Sequence, residues 1–365
     1  KNIDNDHKYI LAVGAHLKNT IAVAAGNDVF LSQHIGDLDT SESFLAFENA
    51  IKSLSDLYNL KPSIIVSDLH PDYISTTYAF NRKEPKYQVQ HHYAHVRSCM
   101  LENQLDGDVL GIAWDGTGFG NDSTIWGGEF LKVGKSSFER VATFKQFRLP
   151  GGDKAIKEPR RTAIGVLYEI FKDDILKQSD LPPLNSFSKN ELKILISMIK
   201  KGINSPVTSS VGRLFDAIAS IIGVRQITNY EGQSAMMIEF ICEPNTSEIQ
   251  YHYKIDREAN PMIVDWIPMF REIVYDYKKN VPNGVISAKF HNTLSSIIVD
   301  VAGIIGKNKI VLSGGCFQNK YLTEHTIKML INKGFQPYWH QRVPPNDGGI
   351  ALGQVAAVWS DFKGD

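Results

Sequence analysis

The stretch VLGIAWDGTGFG, residues 109–120, contains the pattern that decides the fold. It begins with a short apolar run, 109–114, that predicts a buried strand, and the turn Asp115-Gly116-Thr117-Gly118 ends that strand. The chain opens on the same plan, because the apolar runs 9–13 and 20–24 flank a polar turn that starts with a glycine. Turns of this kind can direct backbone N–H groups at a phosphate. The sequence therefore predicts two hairpins whose turns are suited to anion binding.

Outside the hairpins, strands and helices alternate, which is typical of an α/β protein. A third glycine turn, Ser313-Gly314-Gly315, follows the predicted strand 309–312 and leads into a helix. After the break Pro150-Gly151-Gly152 the chain becomes mainly helical. Further strands are predicted over 64–66, 124–133, 138–147 and 337–340. Helices are predicted over 41–58, 89–107, 163–171, 189–201, 213–222, 234–239, 266–275, 288–305, 320–333 and 348–360.

Length and composition limit the classes of function. The 365 residues are enough for two lobes with a cleft between them, which is where ligands usually bind. With 39 Lys and Arg residues against 40 Asp and Glu residues, the formal net charge of -1 provides no general basic field for nucleic acid, although a local basic patch stays possible. The three cysteines, Cys99, Cys242 and Cys316, are far apart, which argues against disulfides and a thiolate zinc site.

The hydropathy pattern argues against a membrane-spanning or exported protein. No apolar run approaches the roughly 18 to 20 residues that span a bilayer. Residues 1–9 are polar and unlike a signal peptide. We therefore expect a cytoplasmic protein.

The segment QHHYAH contains His91, His92 and His95 and is the densest group of metal-ligating side chains. His91 and His95 share one face of a helix, so both imidazoles can reach one ion, whereas His92 points elsewhere. Asp115 ends a predicted strand, and Asp347 precedes the last helix. Two imidazoles and two carboxylates suit Fe²⁺ or Zn²⁺ with open positions for substrate. The alternatives are hydrogen-bonded core histidines, an Asx turn, and a helix N-cap at Asp347.

Residues in two of the glycine turns are candidates for phosphate binding. Lys18 in the first turn supplies a positive charge, with Asn19 and Thr20 adding hydrogen bonds, although an exposed hairpin lysine is the more frequent case. Gly314 and Gly315 allow a nucleotide to approach the backbone, and the N-terminus of the following helix would face its phosphates.

Two carboxylates in the second half of the chain, Asp216 and Glu231, are able to accept hydrogen bonds from ribose hydroxyls. Ion pairs on a helix surface are the alternative interpretation for both. Arg160 and Arg161 follow a Gly-Gly-Asp-Lys loop that could close over an anion, although most such arginines are solvated.

Ten motifs together resemble one family, the HypF-type carbamoyltransferases that mature NiFe hydrogenases, in their C-terminal Kae1-like module. They run from end to end of the sequence in the family's order, which makes them far more specific than a pair of histidines or a glycine turn. The motifs are GAHLKNT (14–20), SQHIGDL (32–38), DLHPDY (68–73), VQHHYAH (89–95), AWDGTGFG (113–120), IWGGEF (125–130), SSVGRLFDAIASIIG (209–223), NYEGQSA (229–235), LSGGCFQN (312–319) and PPNDGGIALGQ (344–354).

The resemblance implies an ASKHA-type fold, which is α/β and two-lobed, with the active site in the cleft. It implies a first lobe over residues 1–108, with the C-terminal helix 348–365 packed back on it. The second lobe would cover residues 109–347 and contain a helical insertion over about 153–300.

The resemblance also implies roles for individual residues. The metal ligands would be His91, His95, Asp115 and Asp347. The nucleotide part of a carbamoyl-adenylate would lie against Gly314, Gly315 and Asn319, with Asp216 and Glu231 near the ribose and Lys18 at the phosphate or carbamoyl end. Further nucleotide contacts would come from the hairpin turns, at Gly14, Asn19, Thr20, Gly116 and Gly118.

In that family, ATP and carbamoyl phosphate form carbamoyl-adenylate in a YrdC-like domain. The Kae1-like module then passes the carbamoyl group to the C-terminal cysteine of the partner HypE, and AMP is released. The resemblance thus implies a divalent metal, Fe²⁺ or Zn²⁺, acting as a Lewis acid, and ATP or carbamoyl-adenylate as the bound nucleotide. The implied partners are a HypE-like protein and a YrdC-like domain or protein, with neither a membrane nor nucleic acid involved.

The sequence differs from the family pattern at two points. No segment resembles the acylphosphatase-like, Cys-rich zinc-finger or YrdC-like regions, so we expect an excised module or a naturally short form that makes little carbamoyl-adenylate alone. Position 16 is His where the family usually has an acidic residue. The alternatives are O-carbamoylation of a small molecule, threonylcarbamoyl transfer to tRNA, and a nucleotide-binding module without catalysis; the near-neutral charge argues weakly against tRNA.

Overall fold

Two mixed β-sheets organise the molecule, which the computed structural model describes over residues 9–58, 61–243 and 249–362. One sheet has five strands and the other has seven, and a further pair of short strands is separate from both. Helices connect the strands throughout. The α/β class predicted from the sequence is confirmed.

The first sheet comes from the N-terminal part of the chain. Its strands are β1 (Ile10–Ala12), β2 (Ala22–Ala25), β3 (Asp28–Leu31), β4 (Ile64–Asp68) and β5 (Lys86–Val89). They lie in the order β3-β2-β1-β4-β5. Strand β1 is antiparallel to β2, with Ile10 opposite Ala24, and is parallel to β4. The predicted N-terminal hairpin is therefore confirmed.

Three helices follow strands of this sheet along the chain, namely α1 (Ser41–Tyr58), α2 (Ile74–Phe80) and α3 (His91–Glu102). The hydroxyl of Thr40 accepts a hydrogen bond from the backbone N–H of Ser43 at 3.1 Å, which fixes the start of α1. Helix α1 buries Phe47 and Ile51 in the core on one side of the sheet. Helix α3 is almost entirely buried, including its three histidines.

The second sheet repeats the plan of the first. The strands that follow α3 are β6 (Val109–Trp114), β7 (Gly128–Val133), β8 (Phe138–Phe144), β9 (Phe147–Arg148), β10 (Val207–Thr208), β11 (Lys254–Asp256), β12 (Met262–Asp265), β13 (Lys309–Ser313) and β14 (Gln336–Tyr338). The sheet order is β11-β12-β8-β7-β6-β13-β14, and β9 pairs only with β10 among the described strands. Strand β6 is antiparallel to β7 and parallel to β13, which matches the pairing of β1 with β2 and β4.

Most of the remaining chain is helical. The helices are α4 (Asp153–Lys157), α5 (Pro159–Phe171), α6 (Pro182–Asn185), α7 (Lys189–Lys201), α8 (Val211–Ile221), α9 (Gln233–Phe240), α10 (Ile267–Lys278), α11 (Asn283–Ile305), α12 (Lys320–Asn332) and α13 (Ile350–Phe362). Helices α5 and α8 pack together, and both contribute to a core that also contains Trp114, Phe144 and Phe290. Among the described residues, no helix is both long enough and apolar enough to cross a bilayer.

Helices α3 and α13 pack against each other closely. A Cβ built on Gly353 would lie 1.8 Å from the carbonyl oxygen of Ala94, so only glycine permits this approach. One residue further, the side-chain amide of Gln354 accepts from the N–H of Gly14 at 2.8 Å and donates to the Gly14 carbonyl at 3.1 Å. The last helix is thereby joined to the end of β1. The division of the chain into lobes at residue 108 stays a prediction.

The structure corrects several predicted elements. Strands β3, β5, β11 and β12 and helix α2 were not predicted, and the predicted strand 124–133 begins only at Gly128. The preceding residues take another course because the N–H of Trp126 donates back to the carbonyl of Gly118 at 2.9 Å. Short strands with exposed faces give weak sequence patterns, which explains most of these omissions.

Candidate metal centre and adjoining cavity

Four side chains that are distant in sequence meet between the two sheets. His91 and His95 come from α3, Asp115 follows β6, and Asp347 begins a short 3₁₀ turn before α13. One ligand atom from each lies within 4.8 Å of all the others, and all four residues are buried. The shortest of these contacts joins His95 Nε2 to Asp115 Oδ2 at 2.8 Å. The predicted cluster therefore forms in the fold.

Local geometry places each of these side chains. The side chain of Gln90 accepts from the N–H of Tyr93 at 2.9 Å and starts α3, so that the two histidines four residues apart face the same side. The side chain of Asn346 accepts from the N–H of Gly348 at 3.0 Å. Because Asn346 caps this turn, the carboxylate of Asp347 is available to the histidines.

The donor set fits a divalent metal. His91 Nε2 is buried without a hydrogen bond and lies 3.8 Å from Asp115 Oδ2 and 3.6 Å from Asp347 Oδ1. His95 Nε2 lies 3.7 Å from the same oxygen of Asp347. Two imidazole nitrogens and two carboxylate oxygens that converge in this way are suitable ligands for Zn²⁺ or Fe²⁺.

The charges in the cluster are strongly coupled. Burial alone would lower the pKa of His91, but the carboxylates of Asp68 and Asp347 outweigh it and raise the pKa well above its usual range. Burial would likewise raise the pKa of Asp347, yet the nearby imidazoles, above all His91, lower that pKa to about 2. Asp347 is therefore stabilised in its ionised form and His91 in its protonated form. A divalent cation would replace the proton of His91 with a charge of the same sign.

A fifth residue that the sequence analysis did not identify lies behind the cluster. The carboxylate of Asp68, at the end of β4, is fully buried, and its Oδ2 lies 2.8 Å from His91 Nδ1. The available signal was an aspartate directly after a predicted strand, within the motif DLHPDY. His92, by contrast, is buried beside Gln90 at 3.2 Å and lies outside the cluster, as its position on the helix predicts.

A small cavity of about 90 Å³ adjoins the cluster. Its lining includes the predicted Lys18, Asp115, Gly116, Asp216, Glu231, Gly315 and Asp347, together with Arg213, Gln318 and Asn346, which the sequence analysis did not identify. Lys18 forms an ion pair with Glu231 across this space. Nucleotide-sized ligands usually occupy several hundred Å³, so the cavity in this structure is smaller than such a ligand requires.

Asp216 and Arg213 form a buried ion pair on one wall of the cavity. Their closest atoms, Oδ2 and Nη1, are 2.9 Å apart, and Asp216 is 4% exposed. Burial raises the pKa of Asp216 to about 6, although the guanidinium of Arg213 opposes this effect. Asp216 thus forms a salt bridge, as one interpretation of the sequence predicted, but with the buried Arg213 and not on a helix surface. Asp216 also lines the cavity.

Three predicted nucleotide contacts are occupied within the protein and lie outside the cavity lining. The amide of Asn19 donates to the carbonyls of Val13 and Ala15, and the hydroxyl of Thr20 donates to the carbonyl of Gly348 at 2.9 Å. The side chain of Asn319 accepts from the N–H of Leu322 at 2.8 Å and contacts the ring of His291 at 2.8 Å. In the turn after β13, the side chains that line the cavity are those of Cys316 and Gln318.

The remaining predicted glycines, Gly14, Gly118 and Gly314, are required by packing. Gly314 has φ +100°, and a Cβ there would lie 2.2 Å from the Trp114 carbonyl. A Cβ on Gly118 would lie 2.4 Å from the ring of His92. None of the three lines the cavity, and their contact with a nucleotide stays a prediction.

Other candidate groups are accounted for by their surroundings. Arg160 and Arg161 both contact the carboxylate of Glu158, at 2.9 Å, and stack over Phe187. A larger surface groove of about 520 Å³ lies along α12, and none of the four clustered residues lines it. The cluster and its small cavity therefore remain the candidate site.

Comparisons with known proteins agree across nearly the whole chain. A family model described as "Carbamoyltransferase, Kae1-like Domain, second subdomain" matches residues 111–354, and another, "HypF Kae1-like domain", matches residues 5–102. Carbamoyltransferase HypF of Synechocystis sp. is 42% identical over 96% of this chain and 47% of its own length. The carbamoyltransferase HypF homolog of Cupriavidus necator is 31% identical over 96% of this chain and 91% of its own length.

Solved structures show the same relation. A crystal structure of full-length HypF in the phosphate- and nucleotide-bound form gives a TM-score of 0.93 at 41% identity, and the match covers 98% of this chain and 47% of that one. The HypF structure from T. kodakarensis gives 0.86 at 29% identity, over 99% of this chain and 49% of that one. The chain thus spans about half the length of these relatives, but nearly the full length of the C. necator homolog.

Proposed function

Because this chain belongs to the HypF carbamoyltransferase family, we propose that it transfers a carbamoyl group from carbamoyl-adenylate to the C-terminal cysteine of a HypE-like protein. The product would be a thiocarbamate on that cysteine, which the family resemblance links to the cyanide ligands of NiFe hydrogenases. The observation that carries the proposal is the buried cluster of two histidines and two aspartates, which shares Asp115 and Asp347 with the adjoining cavity. The proposed metal site and the proposed nucleotide site would therefore lie side by side.

The cluster would hold the metal through His91 Nε2, His95 Nε2 and one carboxylate oxygen each of Asp115 and Asp347. An Fe²⁺ or Zn²⁺ ion, when bound, would supply Lewis-acid polarisation of a carbamoyl or phosphate oxygen. The carboxylates stay ionised in the cluster because the imidazoles lower the pKa of Asp115 well below its usual range despite burial. The ligand set is therefore ready for a divalent ion without a change in the charge of its carboxylates.

The cavity would hold the AMP part of carbamoyl-adenylate. Lys18 and Arg213 provide positive charge on two sides, and Gly116 and Gly315 let the ligand approach the backbone. The ammonium of Lys18 would exchange Glu231 for a phosphate oxygen as the cavity opens. Asp216 lies on the same wall and would accept a ribose hydroxyl.

The chain offers no thiol nucleophile in the described part of the site. Cys316 lines the cavity, but burial raises the pKa of its thiol well above the usual range, so that the thiol stays protonated. The acceptor would therefore come from outside. The partner's cysteine sulfur, having lost its proton, would form a bond to the carbamoyl carbon, and the bond from that carbon to the phosphate oxygen would break, which releases AMP.

Intact-mass measurement of a HypE-like protein tests this proposal. The chain, loaded with Fe²⁺ or Zn²⁺ and given carbamoyl-adenylate, should add one carbamoyl group to the tail cysteine of the partner. ATP and carbamoyl phosphate should support transfer only when a YrdC-like domain or protein is supplied. A partner with its tail cysteine replaced by serine is the control.

Three outcomes would contradict the proposal in whole or in part. No mass gain with preformed carbamoyl-adenylate and loaded metal would remove the assigned reaction. Carbamoylation of a small hydroxyl compound, with the partner thiol unchanged, would show that the acceptor is not the partner cysteine. Full-rate transfer from ATP and carbamoyl phosphate alone would show that this chain makes the adenylate itself.

A further inference from the structure

The carboxylate of Asp68 is held rigidly at the edge of the candidate metal cluster. Asp68 is the last residue of β4 and is fully buried. Its Oδ1 accepts a hydrogen bond from the N–H of His70 at 2.9 Å, and its Oδ2 lies 2.8 Å from His91 Nδ1. Each carboxylate oxygen therefore has a partner, and the side chain has little freedom to turn.

The backbone of Asp68 is fixed as well. Its carbonyl accepts from the hydroxyl of Thr76 at 3.2 Å and from the side-chain amide of Gln88 at 3.3 Å. In the register of the first sheet, Asp68 is paired with Val89, one residue before Gln90 caps α3. The strand that carries Asp68 and the helix that carries His91 are thus joined at this end of the sheet.

We propose that Asp68 is a positioning residue for the metal site, an inference that rests on the proposed metal-binding function. Its carboxylate accepts the Nδ1–H of His91, so that Nε2 is the nitrogen that gives up its proton and offers a lone pair when a metal binds. Nε2 faces the oxygens of Asp115 and Asp347, at 3.8 and 3.6 Å. A carboxylate behind a ligating imidazole fixes the ring and strengthens it as a ligand.

The contact between Asp68 and His91 also connects the first sheet to the cluster. Asp115 comes from the second sheet, whereas Asp68 comes from the first, and His91 lies between them. Asp68 is separated from His91 by 23 positions, and it contributes no ligand atom to the cluster. Its effect on the metal would be exerted through the imidazole of His91.

The variant Asp68→Asn tests this role, because asparagine keeps the size of the side chain but has only one acceptor oxygen. The amide must either lose the bond from His70 or donate to His91 Nδ1, which would place the ring proton on Nε2 and block the ligand atom. We expect Co²⁺ affinity, measured by the visible absorption of the full chain, to fall about 10- to 100-fold.

Two variants serve as controls. In the exposed pair of His16 and Asp39, His16 Nε2 lies 2.8 Å from the carboxylate, the same distance as in the pair of His91 and Asp68. Asp39→Asn should leave Co²⁺ affinity unchanged. Asp276→Asn removes a carboxylate of 13% exposure that contacts Lys289 between two helices, and reports what a lost interior ion pair does to the chain as a whole. Co²⁺ affinity of Asp68→Asn equal to that of Asp276→Asn would overturn the proposal.

A second measurement needs no variant and so does not depend on whether Asp68→Asn folds. Nitrogen-15 NMR of histidine-labelled wild-type chain with Zn²⁺ should show a proton on Nδ1 of His91 and metal on Nε2. Zinc on Nδ1, or an Nδ1 without a proton, would overturn the role of Asp68. A wild-type chain that binds neither Co²⁺ nor Zn²⁺ would overturn this inference together with the metal site, whereas a metal-binding chain without carbamoyl transfer would count against the proposed reaction alone.

Discussion

The turn between β1 and β2 and the turn between β6 and β7 connect antiparallel strands in the same way, and β1 and β6 each also pair in parallel with a later strand. In the first turn, Asn19 and Thr20 direct their polar atoms to backbone carbonyls of the surrounding protein. In the second turn, Asp115 directs its carboxylate to His95 at 2.8 Å. One backbone plan thus supports two different tasks.

The difference shows how a repeated plan becomes a site. The first turn is closed by its own hydrogen bonds, and of its predicted polar side chains only Lys18 reaches the cavity. The second turn presents Asp115 to the histidines on one side, while Gly116 lines the cavity on the other. In the proposed function the second turn would therefore carry the chemistry, and the first turn would provide a framework with a single charge.

The largest expected effect compares Asp115 of the second turn with Asp37, whose carboxylate accepts from the Lys18 N–H of the first turn at 2.8 Å. Asp115→Asn should lower Co²⁺ or Zn²⁺ affinity by more than about 100-fold, because loss of a ligand exceeds the about 10- to 100-fold effect of an outer partner. Asp37→Asn, which removes the charge of that carboxylate and keeps an acceptor oxygen, should leave metal affinity unchanged. Equal losses in the two variants, measured by metal titration, would remove the distinction between the turns.

A second effect concerns pH, because a buried titratable carboxylate lies beside the second turn. The pKa of Asp216 is raised by burial from 3.8 to about 6, so between these values the folded chain holds a proton that the unfolded chain has released. Stability from this group therefore falls as pH rises from about 4 to about 6, by roughly 3 kcal/mol.

Urea unfolding of the wild type and of Asp216→Asn at several pH values checks this expectation. The stability of the wild type relative to the variant should decline across the window from pH 4 to pH 7, with the sign given by the raised pKa. Parallel curves for the two proteins would show that Asp216 does not titrate in this range.

Substitution of Asn19 in the first turn should lower the unfolding free energy by the same amount at every pH. Asn19→Ala removes two buried hydrogen bonds to the carbonyls of Val13 and Ala15, which should cost about 1 to 3 kcal/mol of unfolding free energy. AMP affinity should stay the same, because Asn19 does not line the cavity.

The exposed Gln318 should show the opposite combination of effects. Gln318→Ala should weaken AMP binding several-fold and change stability by less than about 0.5 kcal/mol.

Calorimetric AMP titration and chemical unfolding of both variants distinguish the two behaviours. A loss of AMP affinity in Asn19→Ala without loss of stability would restore the nucleotide contact predicted from the sequence. Unchanged AMP affinity in Gln318→Ala would remove Gln318 from the binding site.

What could be predicted from the sequence was the part encoded in local patterns. The helical spacing of His91 and His95, and the apolar strands before both glycine turns, are properties of short segments and were found. Asp115 and Asp347 were candidates from their positions after a strand and before a helix, and the ten-motif resemblance then implied that they join the two histidines. The edge strands and α2 were missed because short, partly exposed elements have no distinctive period.

The rest depends on contacts over long sequence distances. Lys18 meets Glu231 across 213 positions, and Asp68 meets His91 across 23. Neither pair can be read from residue type, because each charged residue has an equally good interpretation as a surface group. The sequence also does not determine which of two neighbouring residues faces a site, because the direction of a side chain in a turn follows from the packing around it. Gln318 lines the cavity, whereas Asn319 beside it accepts from the N–H of Leu322.

The smallest expected effect tests the one charge that links the first turn to the cavity. In the structure the carboxylate of Glu231 is paired with Lys18, whereas the family resemblance implied that Glu231 contacts the ribose. If pairing is its role, Glu231→Gln frees the ammonium of Lys18 for phosphate, and AMP affinity should rise. The pair is partly exposed, with side chains 30% and 37% accessible, so its contribution of about 0 to 1 kcal/mol limits the gain to about fivefold. The gain should shrink at high salt, because solvent ions screen exposed charges.

Lys18→Met should weaken AMP binding, and in that background Glu231→Gln should have no further effect. Weaker AMP binding in Glu231→Gln, with Lys18 intact, would instead assign the carboxylate to the ribose, and the ion pair would be a feature of the ligand-free cavity alone.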